Sequence, residues 1–124
     1  MPLKYLNMGR CGMSGPIPSE LGQLSQLTYL DLSQQTLTGF VPRQLGNLTS
    51  LEQLSLSQNN LRGNIPSELG RCAKLQVLDL IANNIGGLVP LEVCALRPNP
   101  LEILTADCRR QVTCPAGCCT ACGR

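Results

Sequence analysis

The residues with the most evident chemistry are eight cysteines, which are spread unevenly over the 124 residues. Two of them, Cys11 and Cys72, stand apart, and the other six crowd into the C-terminal end: Cys94, Cys108, Cys114, Cys118, Cys119 and Cys122. Small modules in oxidising compartments are stapled by disulfides, so we expect these six to form three bridges, in a connectivity that the sequence leaves open. The bridges would cover an end of the fold that otherwise exposes apolar area.

Two other chemistries fit the same cysteines. Four thiolates can hold Zn²⁺, and Cys119-Thr120-Ala121-Cys122 has the C-x-x-C form found in zinc sites. The same form occurs in disulfide oxidoreductases, but the βαβ pattern that surrounds it in those enzymes is missing here. We favour structural disulfides and expect no bound metal and no other cofactor, with zinc as the main alternative.

Several functional classes are disfavoured by composition. Histidine is absent, which removes Ser–His–Asp and Cys–His catalysis and every His-containing metal site. The sequence has no Gly-rich phosphate loop and no carboxylate pair in a defensible pocket, so we do not expect an enzyme. The net charge is +2, from 10 basic and 8 acidic residues without a run of like charge. Nucleic acid and anionic membranes are therefore poor candidates as partners.

A repeat of 24 residues organises the elements that must position these groups. The segments 3–26, 27–50, 51–74 and 75–98 align without a gap, and apolar residues recur at the same places in each, as at Leu30, Leu54 and Leu78. A fifth copy starts at Leu101 and breaks off. We assign residues 3–98 to the repeats, and residues 99–124 to the partial fifth copy and a Cys-rich C-terminal cap.

Each repeat has the pattern of one turn of a solenoid. Leu30 and Leu32 alternate with polar residues, a period of two that predicts a short strand with its leucines inward. The Gly-x-(Ile/Val)-Pro element that follows, as at 63–66, is predicted to turn the chain. A helical or 3₁₀ segment such as 67–70 then brings the chain back. Because one turn cannot stand alone, contacts between stacked turns, including a parallel strand ladder, must stabilise the whole.

One polar position of each repeat is predicted to hold the bend between elements. It is occupied by Cys11, Gln35, Asn59 and Asn83. A buried amide at this position can bond backbone groups of the adjacent turn and so form a ladder. We assign all four residues to this structural ladder, and we assign Cys72, which replaces a core leucine, to the core.

The segment 51–66 resembles the plant-type leucine-rich repeat, which has the pattern L-x-x-L-x-L-x-x-N/C-x-L followed by L-x-G-x-I-P. The resemblance covers residues 3 to about 98. It implies an α/β solenoid, a right-handed superhelix with a parallel β-sheet on its concave face and short 3₁₀ or helical segments on its convex face. The tail, with Cys108, Cys114, Cys118, Cys119 and Cys122, is similar to the tails of leucine-rich-repeat proteins of diatoms and related algae.

Plant-type members are mostly ectodomains of receptor-like kinases and receptor-like proteins, or secreted inhibitors, and they recognise peptides and proteins. The resemblance therefore implies a protein- or peptide-binding module from a receptor ectodomain or a secreted recognition protein. The alternative is a structural segment that closes a longer repeat array and binds nothing itself. The start lacks the apolar core of a signal peptide, and no apolar run approaches the roughly 20 residues of a membrane helix. We thus expect the C-terminal part of a longer secreted or membrane-anchored protein, with no membrane insertion by this segment.

The outward residues of the strands are predicted to line the concave face, which is the usual docking surface of such arrays. Both tyrosines fall on adjacent turns of one row, and tyrosine and arginine are enriched in binding hot spots. Tyrosine also has a high strand propensity on any exposed sheet, which is the simpler interpretation. We predict a partner-binding set of Tyr5, Asn7, Arg10, Tyr29, Asp31, Gln53, Ser55 and Asp79.

Asn47-Leu48-Thr49 matches the acceptor pattern for N-glycosylation and falls on the loop side of the predicted solenoid. Plant-type repeats commonly have Gly-Asn-Leu-Thr or Gly-Asn-Leu-Ser at this place for packing reasons. Asn47 is therefore a candidate glycosylation site with an equally good structural explanation.

Overall fold

The computed structural model describes residues 3–97, 99–107, 112–115 and 117–122, with the backbone alone at 121 and 122. Short strands alternate with tight helical turns throughout these residues. In chain order the strands are β1 Tyr5–Asn7, β2 Ser14–Pro16, β3 Tyr29–Asp31, β4 Thr36–Thr38, β5 Gln53–Ser55, β6 Arg62–Asn64, β7 Val77–Asp79, β8 Asn84–Leu88, β9 Ile103–Ala106, β10 Val112–Thr113 and β11 Ala121–Cys122. The helical segments are the 3₁₀ helices η1 Ser19–Gln23, η2 Arg43–Asn47 and η3 Ser67–Arg71, and the α-helix α1 Leu91–Cys94.

One parallel sheet of six strands, called here the long sheet, runs through the molecule in the order β1-β3-β5-β7-β9-β11. Its first four strands pair in the register that the 24-residue period predicts, with Leu6 beside Leu30, Leu30 beside Leu54, and Leu54 beside Leu78. The next partner of Leu78 is Leu104, two residues beyond the period, because the fifth copy starts two residues late. The parallel stacking confirms the predicted α/β solenoid.

A second set of parallel strands was not predicted from the sequence. The Gly-x-(Ile/Val)-Pro elements do not only turn the chain, since β2 pairs with β4, and β6 pairs with β8, which also pairs with β10. Each element holds a glycine with φ between 77° and 82°, a left-handed conformation that side chains disfavour: Gly15, Gly39, Gly63 and Gly87. Three strands of this set, β2, β6 and β8, contain this glycine, and β4 ends just before it; the proline that closes each element precedes the helical segment.

The core is a continuous column of aliphatic side chains between the two sets of strands and the helical segments. Leu27, Leu51 and Leu75 are fully buried, one from each of three successive turns. Cys72 lies in this column as the periodicity predicts, with its Sγ 3.5 Å from the carbonyl oxygen of Leu45. In the first turn the apolar residues are mostly half-buried, because only one neighbouring turn packs against them.

The helical segments stack into a ridge that depends on glycine. A Cβ at Gly22, Gly46 or Gly70 would collide with the backbone of the next turn, and at Gly70 it would lie 2.7 Å from the carbonyl oxygen of Glu92. The next residue in this column is Cys94, which carries a side chain and reaches the following turn through a disulfide to Cys118, 24 residues later. The disulfide therefore connects successive turns at the place in the column where a cysteine replaces the glycine.

The Cys-rich tail forms a shortened fifth turn instead of a separate lid. Its strands β10 and β11 pair with β8 and β9. Directly before β11, the backbone N–H of Thr120 donates to the Leu104 carbonyl at 2.8 Å, and the Thr120 hydroxyl accepts the Leu104 N–H at 2.9 Å. Val112 and Cys118 are buried and cover the end of the core. Within the part of the chain that the structure describes, no helix is long and apolar enough to cross a membrane.

Candidate functional site

Four of the cysteines near the C-terminal end are engaged in disulfides. Cys94 bonds Cys118, and Cys114 bonds Cys119. These four side chains are therefore not zinc thiolates, and Cys119 does not pair within its C-x-x-C motif. Cys108 and the side chain of Cys122 lie outside the described residues. In the described residues, no group of three or more His, Cys, Asp or Glu side chains is arranged to hold a metal ion.

The ladder amides bond the backbone of the preceding turn. Asn59 Oδ1 accepts the Leu37 N–H at 3.1 Å, and its Nδ2 donates to the Leu32 carbonyl at 2.9 Å. Asn83 repeats both contacts 24 residues later, with the Leu61 N–H at 3.1 Å and the Leu56 carbonyl at 2.8 Å. The side chains therefore fix the bend after each strand.

Gln35 and Cys11 differ from the asparagines at this position. Gln35 is 7% exposed, and its Oε1 accepts the backbone N–H groups of Cys11 and Met13 at 3.1 and 2.9 Å. Cys11 is exposed, and its thiol makes only a weak contact of 3.8 Å to the Gly9 carbonyl in its own turn. Among the described residues Cys11 therefore makes no ladder contact, and its assignment to the ladder stays a prediction. Each ladder side chain bonds the turn before its own, and Cys11 belongs to the first turn of the structure.

The two tyrosines stack on the outward face of the long sheet. Tyr5 and Tyr29 are direct partners in the ladder of β1 and β3, and their ring centroids lie 4.2 Å apart with an interplanar angle of 6°. Tyr5 remains 57% exposed, so its outer ring face is open to solvent. The pKa of Tyr29 is raised above its usual value by partial burial first, and then by the Tyr5 hydroxyl and the negative charge of Asp31. Tyr29 therefore stays neutral at physiological pH.

An open groove of about 210 Å³ lies beside the tyrosine stack. It is lined by Asn7, Gly9, Arg10, Asp31, Ser33 and Gln34. At one end the Arg10 Nε–H donates to Gln34 Oε1, so the guanidinium is held across two neighbouring turns. We call the stack and the groove together the tyrosine patch; it contains Tyr5, Asn7, Arg10, Tyr29 and Asp31 of the predicted set, together with Ser33 and Gln34, which the sequence did not single out.

Three members of the predicted set also have a local structural role. Asn7, Asp31 and Asp79 each accept the backbone N–H two residues ahead, at 3.0, 2.9 and 3.3 Å. This bond fixes the chain as it leaves the strand, a common use of Asn and Asp side chains. A carboxylate with one such bond keeps further acceptor positions for a ligand.

The remaining predicted residues lie on later turns of the same face. Gln53 pairs with Tyr29 across the long sheet, and Ser55 pairs with Asp31. Asp79 is one strand further and accepts the hydroxyl of Thr105 at 2.6 Å. The structure thus places five of the eight residues in the tyrosine patch and three beyond it.

Sequence reasoning missed the role of Asp107. Its two carboxylate oxygens accept the N–H groups of Ala82 and Asn83 at 3.1 and 3.0 Å. In earlier turns a backbone carbonyl takes the equivalent N–H, as Ser57 does for Gln34. Asp107 therefore substitutes a side chain for a carbonyl where the repeat ends. The position of Asp107 among the outward-facing residues of the repeats did not indicate that its carboxylate would bond the preceding turn.

Comparison with known proteins agrees with this architecture. Family models of the leucine-rich repeat match residues 2–24, 17–61 and 74–96, which together make up more than half of the chain. The chain belongs to the leucine-rich-repeat family. No curated sequence relative matches it.

Solved structures with the same fold include plant receptor ectodomains. The ectodomain of the membrane receptor kinase GASSHO1/SCHENGEN3 from Arabidopsis thaliana, in complex with CASPARIAN STRIP INTEGRITY FACTOR 2, matches with a TM-score of 0.79 and 33% identity over 90% of this chain. The Arabidopsis receptor kinase HAESA, in complex with the peptide hormone IDA and the co-receptor SERK1, matches with a TM-score of 0.74 and 38% identity over 82% of this chain. The chain spans only 13% and 17% of those two chains.

A solved structure of different function has the same fold. A plant ice-binding protein matches with a TM-score of 0.64 and 39% identity over 68% of this chain, which spans 27% of that protein. The fold therefore supports several kinds of recognition, and the ligand must be argued from the residues on its surface.

Proposed function

We propose that this chain is a protein- or peptide-binding leucine-rich-repeat module of a receptor ectodomain or a secreted recognition protein, and that it docks its partner at the tyrosine patch. The observation that carries the proposal is the exposed stack of Tyr5 and Tyr29 beside an open polar groove. The likeness to receptor ectodomains solved with peptide ligands supports the class of partner. The two described disulfides fit an oxidising, extracellular setting. The proposal assigns binding to the chain and no catalysis.

The patch is suited to a chain that lies across successive turns of the long sheet. The stacked rings are already fixed by each other, so a partner that covers them loses little conformational entropy. Arg10 offers donors at one end of the groove, and Asp31 offers an acceptor near the rings. An apolar side chain of the partner would cover the open face of Tyr5 while its backbone bonds the polar groove.

The proposal is tested with peptides selected from a random display library on the folded chain. We expect their affinity for Tyr5→Ala and Tyr29→Ala to fall about ten-fold or more, which corresponds to ~1.4 kcal/mol per variant, because a buried aromatic anchor is lost. Isothermal titration calorimetry measures the dissociation constants, and thermal unfolding confirms that the variants remain folded.

Phe40 provides a matched control because it is as exposed as Tyr5, at 57%, but lies next to the second set of strands. Phe40→Ala should leave the selected peptides bound with unchanged affinity. Peptides that lose affinity in Phe40→Ala and keep it in the tyrosine variants would contradict the tyrosine patch.

The second candidate is a segment that only closes a longer repeat array. The fifth turn and its disulfides favour it, because they cover the core at that end. The polar Gln53 and Ser55 in the middle of the face favour it too, because they offer little apolar anchoring. This candidate predicts that the library yields no peptide specific for the chain, and that binding appears only when further turns precede it.

A further inference from the structure

The tripeptide Asn47-Leu48-Thr49 has an unusual combination of exposed ends and a buried centre. It begins at the last residue of η2. Asn47 and Thr49 are exposed, whereas Leu48 between them is 0% exposed and belongs to the core. The folded surface therefore has room for a bulky group on Asn47.

Three backbone hydrogen bonds hold the same tripeptide in place. The Leu48 N–H donates to the Leu45 carbonyl at 3.1 Å, and the Thr49 N–H donates to the Asn47 carbonyl at 2.9 Å. The Leu51 N–H donates to the Leu48 carbonyl at 3.0 Å. Lifting the tripeptide out of the fold would break these bonds and withdraw a leucine from the core.

We propose that Asn47 carries an N-linked oligosaccharide, and that the sugar is attached before this turn closes on the core. A transferase must surround the Asn47 amide and the Thr49 hydroxyl together, which requires the tripeptide to be free of the surface that bears it. The folded turn can carry the attached sugar, because Asn47 is exposed. It cannot present the Asn47 amide and the Thr49 hydroxyl to a transferase, because Leu48 between them is buried in the core. Attachment and folding therefore compete, and attachment comes first.

The transfer uses a lipid-pyrophosphate-linked oligosaccharide as donor. The side-chain amide nitrogen of Asn47 forms a bond to the anomeric carbon of the sugar while the carbon–oxygen bond to the pyrophosphate breaks. The lipid pyrophosphate leaves with the electron pair, and the amide proton passes to a base of the transferase. Disulfides of the kind found here form in the same oxidising compartments as those in which secreted proteins are glycosylated.

The position leaves the tyrosine patch free. Asn47 lies on the helical ridge, where the equivalent residues of the neighbouring turns, Gln23 and Arg71, are also exposed and polar. The tyrosine patch lies on the long sheet and does not include η2. The sugar would thus cover a hydrophilic ridge and leave the candidate binding face open.

The acceptor is tested on the full chain, preceded by a cleavable secretion signal and translated with endoplasmic-reticulum microsomes. Intact mass is measured before and after treatment with an endoglycosidase that releases N-linked sugars. We expect one sugar chain on the wild type and on Thr49→Ser, and loss of it in Asn47→Gln and Thr49→Ala. A wild-type chain without a sugar on Asn47 would overturn the site.

The timing is tested on the unglycosylated protein, purified in its folded, oxidised form and supplied with transferase and donor. We expect no mass increase for the folded protein, and modification of Asn47 after the same sample is reduced and unfolded. Modification of the folded protein at the rate of the unfolded one would overturn the order of events while leaving the site itself standing.

Discussion

At the scale of single residues, the structure depends on side chains that take the place of backbone partners. Asn59 and Asn83 bond both N–H and carbonyl groups of the preceding turn, and Asp107 accepts two N–H groups at the end of the repeats. Gln35 performs the same task with a longer side chain, which explains why an amide of different length is accepted at this position. Each of these side chains therefore stabilises the turn before its own.

Replacing Asn59 with alanine should lower the free energy of unfolding by about 1–3 kcal/mol, because the Leu37 N–H and the Leu32 carbonyl lose their partner. Urea unfolding followed by circular dichroism measures the change. Asn60→Ala is the control: that side chain is exposed, and the change should stay within about 0.5 kcal/mol. Equal losses in the two variants would argue against the ladder.

Among the described residues, two cysteines have no disulfide partner, Cys11 and Cys72, and they should differ sharply in reactivity. Burial raises the pKa of the Cys72 thiol from 9.0 to about 11, so little thiolate forms in the native state, whereas Cys11 is exposed. We expect iodoacetamide at pH 8 to label Cys11 but not Cys72 in the folded protein, as read by peptide mass mapping, and to label Cys72 only after unfolding. Because the unfolded thiol ionises at lower pH than the folded one, this group should also destabilise the fold between pH 9 and 11. Early labelling of Cys72 would show that the core opens locally.

At the scale of elements, the helical ridge and the sheets impose different demands on the sequence. The strands of the long sheet need alternating leucines, whereas the ridge needs a glycine wherever one turn passes the next. The glycines at 22, 46 and 70 meet this demand, and the column ends in the Cys94–Cys118 disulfide. The ridge therefore sets how closely the turns can stack.

Gly70→Ala should destabilise the protein by about 1–3 kcal/mol, because the added methyl group would lie 2.7 Å from the Glu92 carbonyl oxygen and force two turns apart. Gly9→Ala is the matched control, since its nearest neighbours would be 3.4 Å away. Thermal unfolding of the two variants measures the difference. A stable Gly70→Ala would mean that the ridge can move apart at little cost.

At the scale of the whole molecule, the two ends of the solenoid differ. The fifth turn and two disulfides bury the core at the C-terminal end, whereas Leu6, Met8 and Met13 of the first turn are only half-buried. The outward face of the long sheet runs between these ends and carries the tyrosine patch on the first two turns. The proposed docking surface is thus separate from the core, the ridge and the fifth turn.

The sequence predicted the parts of the fold that follow from its period. The stacking of Leu30, Leu54 and Leu78 needed only the 24-residue repeat and the alternation of the strands. The second set of strands could not be foreseen, because strands centred on Gly15 or Gly63 show no apolar alternation. Pairing of Cys114 with Cys119 was equally hidden, because it depends on how the shortened fifth turn folds back.

The candidate site was predictable only in part. The adjacency of Tyr5 and Tyr29 followed from the period, but the parallel stacking of their rings and the groove with Ser33 and Gln34 depend on side-chain geometry. The repeat pattern placed Cys11 at the ladder position, but it does not show that a ladder residue bonds the turn before its own.

The most direct test of the proposed function is the mapping of a bound peptide on the ¹⁵N-labelled chain by nuclear magnetic resonance. A peptide selected on the folded protein is titrated, and shifts of the backbone amides are followed. We predict that the largest shifts fall on Tyr5, Asn7, Tyr29 and Asp31, with small shifts on the ridge. Shifts concentrated on η1, η2 and η3 or around Phe40, with the tyrosine amides unchanged, would contradict it.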